Sequence, residues 1–95
     1  GGIDRALAIV AEAGLPAVVS SALDTSVGLA MGAALAARLP SLEFDCGLGT
    51  GALLADDVAV APVAPVAGAI GTGRVSVDED ALRRLAAPEP RAQWW

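Results

Sequence analysis

The sequence predicts a parallel α/β fold, and three observations carry that expectation. The apolar run Ala17–Val18–Val19 ends in the hydroxyls Ser20–Ser21, and an alanine-rich, helix-forming segment follows. A second run, Leu42–Glu43–Phe44–Asp45–Cys46, ends in the glycine-rich Gly47–Leu48–Gly49–Thr50–Gly51. Each run follows a helical segment through a short turn, the pattern of parallel strands joined by crossover helices. Two strand ends that deliver small and polar residues suggest the rim of an α/β barrel, where the loops after the strands carry the site.

The elements follow in order. The first helix is expected from Ile3 to about Ala13. Ile3, Ala6, Leu7 and Val10 share one face, with Asp4, Arg5 and Glu12 off it. Gly14 reads as its stop. Gly14–Leu15–Pro16 turns into strand Ala17–Ser21. Asp24 is placed as an N-cap, so a second helix should run from Thr25 to about Arg38 and stop before Pro40. Gly28 and Gly32 on that helix allow close approach to the sheet, although each costs about 1 kcal/mol of helix propensity. Strand Leu42–Cys46 follows, then a helical turn near Leu53–Val58. From Val58 to Ile70 the chain is apolar, but Pro62 and Pro65 make it extended, and with Gly68, Gly71 and Gly73 it reads as a connector over the surface. Arg74–Val77 suits a short strand. Ser76 and Glu79 have capping-box spacing, or Asp78 caps alone, for a helix to about Ala87. Pro88–Trp95 reads as a tail.

The composition sets bounds. The chain has 95 residues, and 55% are hydrophobic, though much of that is alanine. All six basic residues are arginine, and there is no lysine, histidine or tyrosine. A net charge of −5 argues against a protein that tracks nucleic-acid phosphates. One cysteine excludes an intrachain disulfide and a multi-cysteine metal site. With no signal-like N-terminus, a reducing, cytoplasmic setting is expected. The low-charge stretch Val27–Ala37 is too short to cross a bilayer. Two strands cannot close a barrel or cover both faces of a parallel sheet. The expectation is therefore the C-terminal piece of a larger α/β protein rather than a complete domain.

The residues quoted resemble the C-terminal part of the actinobacterial o-succinylbenzoate synthase family, within the enolase superfamily. The resemblance rests on Gly1–Gly2 leading a helix, on Pro16–Leu29, and on Cys46–Asp57. It is close over residues 1–60 and looser beyond. It implies that the chain supplies the last two βα units of a modified (β/α) barrel in residues 1–60. Residues 61–95 would form a return segment to the capping domain, with a tail. The family implies dehydration of a cyclohexadiene carboxylate in menaquinone biosynthesis. A lysine removes a proton there, and magnesium on three acidic residues of middle strands stabilises the enediolate. This sequence holds no lysine, and those carboxylates belong to strands outside it. What the resemblance leaves here is the substrate-facing rim: Ser20 near the succinyl end of the substrate, with Ser21, Gly47 and Gly49 beside it. The implied partners are a small-molecule carboxylate and the rest of the barrel, with no nucleic acid and no membrane. Other readings are an N-acylamino acid racemase or dipeptide epimerase of the same superfamily, or an α/β interaction module without catalysis.

Each candidate has a structural alternative. Ser20 and Ser21 would either bind a carboxylate or satisfy backbone groups at a strand end. Asp24 suits a cap better than an acid. Thr25 and Ser26, with the N–H groups of a helix start, would either hold an anion or be ordinary first-turn residues. Gly47–Leu48–Gly49–Thr50–Gly51–Ala52 meets a relaxed dinucleotide pattern, but about twenty residues on, where that pattern needs an acid, the chain reads Ala67–Gly68–Ala69–Ile70. Gly49 is better read as taking a positive φ or leaving room for substrate. Cys46 has no histidine to activate it and suits a buried filler. Asp56 and Asp57 suit a solvated turn better than a metal site. Trp94 and Trp95 suit either an interface anchor or a loose terminus.

Overall fold

A computed structural model describes residues 2–94. The elements are helices α1 (Gly2–Ala13) and α2 (Ser26–Arg38), a 3-10 turn at Thr50–Leu53, and short helices α3 (Glu79–Arg84) and α4 (Glu89–Trp94). The first helix obeys its periodicity. Ile3, Ala6, Leu7 and Val10 are half-buried, and Asp4, Arg5 and Glu12 are exposed. Gly14 ends it at φ +63°, with its N–H on Val10 O at 3.2 Å. This is the left-handed stop that glycine adopts without strain. The helix packs on α2, and Arg38 pairs with Asp4 at 2.9 Å.

The core is built on α2. Ser26, Leu29, Ala33 and Ala36 are buried along one stripe, and Leu48 packs on Ala33 and Ala36 with Val19, Cys46 and Ile70 around them. Gly32 makes the approach possible, since a β-carbon there would stand 2.9 Å from Leu48 Cδ2. Gly28 has a different role: its missing β-carbon leaves room for the side chain of Asp24, not for the strands.

The predicted strands are reduced to single bridges. Ser20 pairs with Gly47 in parallel. Gly47 N–H donates to Val19 O and Ser21 N–H to Gly47 O, both at 2.9 Å. Leu42–Cys46 forms no ladder, so that expectation is corrected. The physical reason is that a strand of a parallel sheet needs neighbours on both sides to be buried and held in a ladder. Here each has only the other. No closed barrel is present among the described residues.

The remainder follows the predicted order with shifted boundaries. The turn expected near Leu53–Val58 lies earlier, at Thr50–Leu53. Val60 N–H bonds Ser76 O and Asp78 N–H bonds Val58 O, so Val77 pairs antiparallel with Ala59. Asp78 caps α3 alone, accepting from Asp80 and Ala81 N–H at 3.0 and 3.1 Å. That helix ends at Arg84, short of Ala87. The connector contains a tight hairpin, Val66–Ala69, whose inner residues Ala67 and Gly68 take φ +51° and +78°. The expected tail carries α4; Gly1 and Trp95 lie outside the described residues.

The packing is open for a chain of this size. The accessible surface is 6909 Å², whereas a compact 9.4 kDa monomer exposes about 5,000 Å². The radius of gyration is 15.1 Å, against about 12 Å for a compact domain of this length. Leu15, Val18, Leu23 and Phe44 are all more than half exposed, and four of the six buried apolar residues are alanine.

Candidate functional site: a rim of two loops

The Ser20–Gly47 bridge sets the ends of the two predicted strands side by side. A β-carbon at Gly47 would lie 3.3 Å from Ser20 Cβ, so glycine allows this close pairing. Ser20 is exposed and Ser21 half-buried. The Ser21 hydroxyl donates to Gly47 O at 3.1 Å and meets Thr50 Oγ1 at 2.7 Å. With its own proton directed at Gly47 O, Ser21 accepts the Thr50 proton. Ser21 thus braces one loop on the other, while Ser20 is exposed beside it.

Gly49 is on the same loop but turned elsewhere. Its φ is −96°, so the expectation of a positive φ is corrected. The 3-10 turn it precedes needs no left-handed residue. A β-carbon there would lie 3.4 Å from Pro65 Cγ. It lines an open concavity of about 530 Å³ between α2, residues 42–49 and the Val66–Ala69 hairpin. The structure therefore brings Ser20, Ser21 and Gly47 together and sets Gly49 at the margin. The four-residue 3-10 turn also stands where a dinucleotide loop would open a long helix.

The cap of α2 differs from expectation. Thr25 occupies the N-cap, at φ −67° and ψ 169°, with no side-chain cap bond. The Asp24 carboxylate turns back to accept from Ala22 N–H at 3.2 Å. The first turn is served instead by Asp57, 31 residues away. Its oxygens accept from Ser26 N–H at 3.1 and 3.2 Å and from Ser26 Oγ at 2.5 Å. Val58 N–H adds a bond at 2.7 Å, and Ser26 Oγ accepts from Val63 N–H at 2.7 Å. The helix start, read as a possible anion site, is therefore filled by the chain's own carboxylate, where the helix dipole favours negative charge. Sequence reasoning missed this role. The only signal was an acidic pair after the glycine-rich loop, and nothing local points it at a helix 31 residues earlier.

Burial alone pushes the Asp57 carboxyl up, but the bonds from the Ser26 hydroxyl and N–H and from Val58 and Ala59 N–H outweigh it, leaving its pKa below the ordinary value. The sign of the linkage follows. Above the usual carboxylate range Asp57 is ionised folded or unfolded, and its bonds favour the folded state. As the pH falls below about 4, the unfolded chain takes the proton first, and the contribution disappears towards the lower folded value. Protection of the Ser26 and Val63 amides from hydrogen exchange should fall over that range, and Asp57→Asn should flatten the dependence. Protection that holds constant through acid would contradict this.

The other candidates have plain roles. Cys46 is half-buried against the core. Asp56 pairs with Arg84 at 3.5 Å, and both are more than half exposed, so the pair adds little. Among the described residues no three His, Cys, Asp or Glu side chains converge as a metal site. No helix there is long and apolar enough to cross a membrane. Trp94 is 73% exposed.

Comparison with known proteins decides the relationship. All 95 residues align with the o-succinylbenzoate synthase of Mycolicibacterium smegmatis at 53% identity. The chain is similar, end to end, to a segment of o-succinylbenzoate synthase. The o-succinylbenzoate synthases of Mycobacterium tuberculosis and Mycobacterium ulcerans match over the same 95 residues at 50% identity. The chain spans 29% of the length of each of these synthases. The resemblance expected from Pro16–Leu29 and Cys46–Asp57 thus extends across the whole chain. No family model matches it.

Proposed function

We propose that this chain is the part of an o-succinylbenzoate synthase that shapes the substrate rim. Residues 1–60 would supply its last two βα units, and residues 61–95 a return segment to the capping domain. The observation that carries the reading is the parallel Ser20–Gly47 bridge within a chain matched end to end by synthases. In a parallel barrel, adjacent strand ends are the positions that face substrate. The relatives' names favour the synthase over a racemase or epimerase.

In this reading the rim binds and orients a carboxylate. The exposed Ser20 hydroxyl donates to it, and Gly47 keeps the neighbouring strand end low. Ser21 holds the two loops together and lies within reach of the same edge. Acid–base chemistry and metal binding are assigned in this reading to parts of the protein outside this chain, as the resemblance implies; the chain itself holds no lysine. The magnesium of the full synthase is accordingly assigned no ligand here. The whole enzyme would operate in the cytoplasm on a small soluble acid.

The test is an assay of the full-length polypeptide carrying this segment, with magnesium, for conversion of the cyclohexadiene carboxylate to o-succinylbenzoate. Gly49→Val is the companion variant. Its branched side chain would press on Pro65 and crowd the margin of the proposed rim, so a large loss of activity in a folded protein is expected. Full activity in Gly49→Val would remove Gly49 from the rim. A wild-type protein that forms no o-succinylbenzoate would overturn the function itself.

A further inference from the structure

Two loops leave the Ser20–Gly47 bridge, and both end at one contact. Residues 21–25 run from the bridge to Ser26, and residues 48–56 run from it to Asp57. At the far end the Asp57 carboxylate takes the Ser26 N–H and hydroxyl. Between the ends, Ser21 Oγ and Thr50 Oγ1 brace one loop to the other at 2.7 Å. The ring is therefore closed by a backbone bridge on one side and by a side chain on the other. Ser26 is fully buried, and its hydroxyl also accepts Val63 N–H, so the return segment is fastened at the same point. Neither Thr25 nor Asp24 offers α2 a substitute cap.

We propose that Asp57 is a positioning residue for substrate binding: its carboxylate closes the two-loop ring and so fixes where Ser20 presents its hydroxyl. This rests on the rim being the substrate edge of the synthase. Asp57 touches no substrate in this scheme. It acts through Ser26 and the loop that leads back to Ser20. Loss of the carboxylate opens the far end of the ring, so that Ser20 is held by the Gly47 bridge alone and the rim loosens without losing its chemical groups. Such a change weakens ground-state binding more than turnover.

The experiment uses the full-length protein with Asp57→Ala, Asp57→Asn and Ser26→Ala. Asp78→Ala is the control, because it removes an N-cap of similar kind on α3, outside the ring. In Asp57→Ala, KM should rise about five- to twentyfold with kcat within about twofold. Amides of residues 21–25 and 48–56 should exchange at least about tenfold faster. Asp57→Asn keeps an acceptor for Ser26 N–H and should restore most of the KM. If Asp57→Ala does not fold, Ser26→Ala gives a smaller shift of the same kind. Unchanged KM in Asp57→Ala, or an equal rise in Asp78→Ala, overturns the proposal. If the wild-type protein makes no o-succinylbenzoate, the proposed function fails, and the exchange measurement still decides whether Asp57 holds the two loops.

Discussion

The 95-residue chain alone is expected to turn over no cyclohexadiene carboxylate, with or without magnesium, and to lack a cooperative melt. Both expectations come from what the chain contains. Without lysine there is no side chain to take the proton as the family does, and histidine is absent as well. The buried core consists of Leu29, Leu48 and four alanines, which is little apolar area to set against backbone entropy of about 1–2 kcal/mol per residue. The surface is larger than a compact protein of this mass would expose, and Val18 and Phe44 lie open on the two segments expected as strands. Strand edges left unpaired in this way invite association. A calorimetric scan and an amide-dispersed NMR spectrum check the second expectation, and a sensitive product assay checks the first. Measurable turnover by the chain, or a sharp monomeric transition, would contradict the assignment to a larger barrel.

What the sequence disclosed depended on the range of the interaction. The face of α1, its glycine stop and the span of α2 are local, set by residues within one or two turns, and were legible; the cap of α3 was legible only as a choice between a Ser76–Glu79 box and Asp78, which the structure resolves for Asp78. The use of Gly32 was legible too, since small residues on an apolar helix imply close packing. The strands were not, because a ladder depends on partners outside the two runs. Asp24 misled for a related reason: an acidic residue before a helix usually caps it, but Asp57 arrives from 31 residues away with better geometry for Ser26. Gly49 shows a third limit. A glycine's presence does not say which freedom is used, and here it is space beside Pro65 rather than a positive φ. Ser20 and Ser21 were indistinguishable as letters, and only the fold separates an exposed serine from one whose hydroxyl is held by Gly47 and Thr50.

That separation gives the second large expectation. In the full-length enzyme, Ser20→Ala should weaken substrate binding or turnover while leaving the melting temperature nearly unchanged. A hydrogen bond to a charged group is worth about 1.5–3 kcal/mol, or roughly ten- to a hundredfold in kcat/KM. Ser21→Ala should behave in the opposite way. It removes the donor to Gly47 O and the acceptor for Thr50, at a cost of about 1–2 kcal/mol in stability. Its effect on kcat/KM should be smaller than that of Ser20→Ala. Steady-state kinetics and thermal melts of the two variants, measured in parallel, separate the roles. Wild-type kinetics in Ser20→Ala would remove that hydroxyl from the substrate site. A kinetic loss in Ser21→Ala without any loss of stability would instead move substrate recognition one residue along the rim, to the hydroxyl that now braces Thr50.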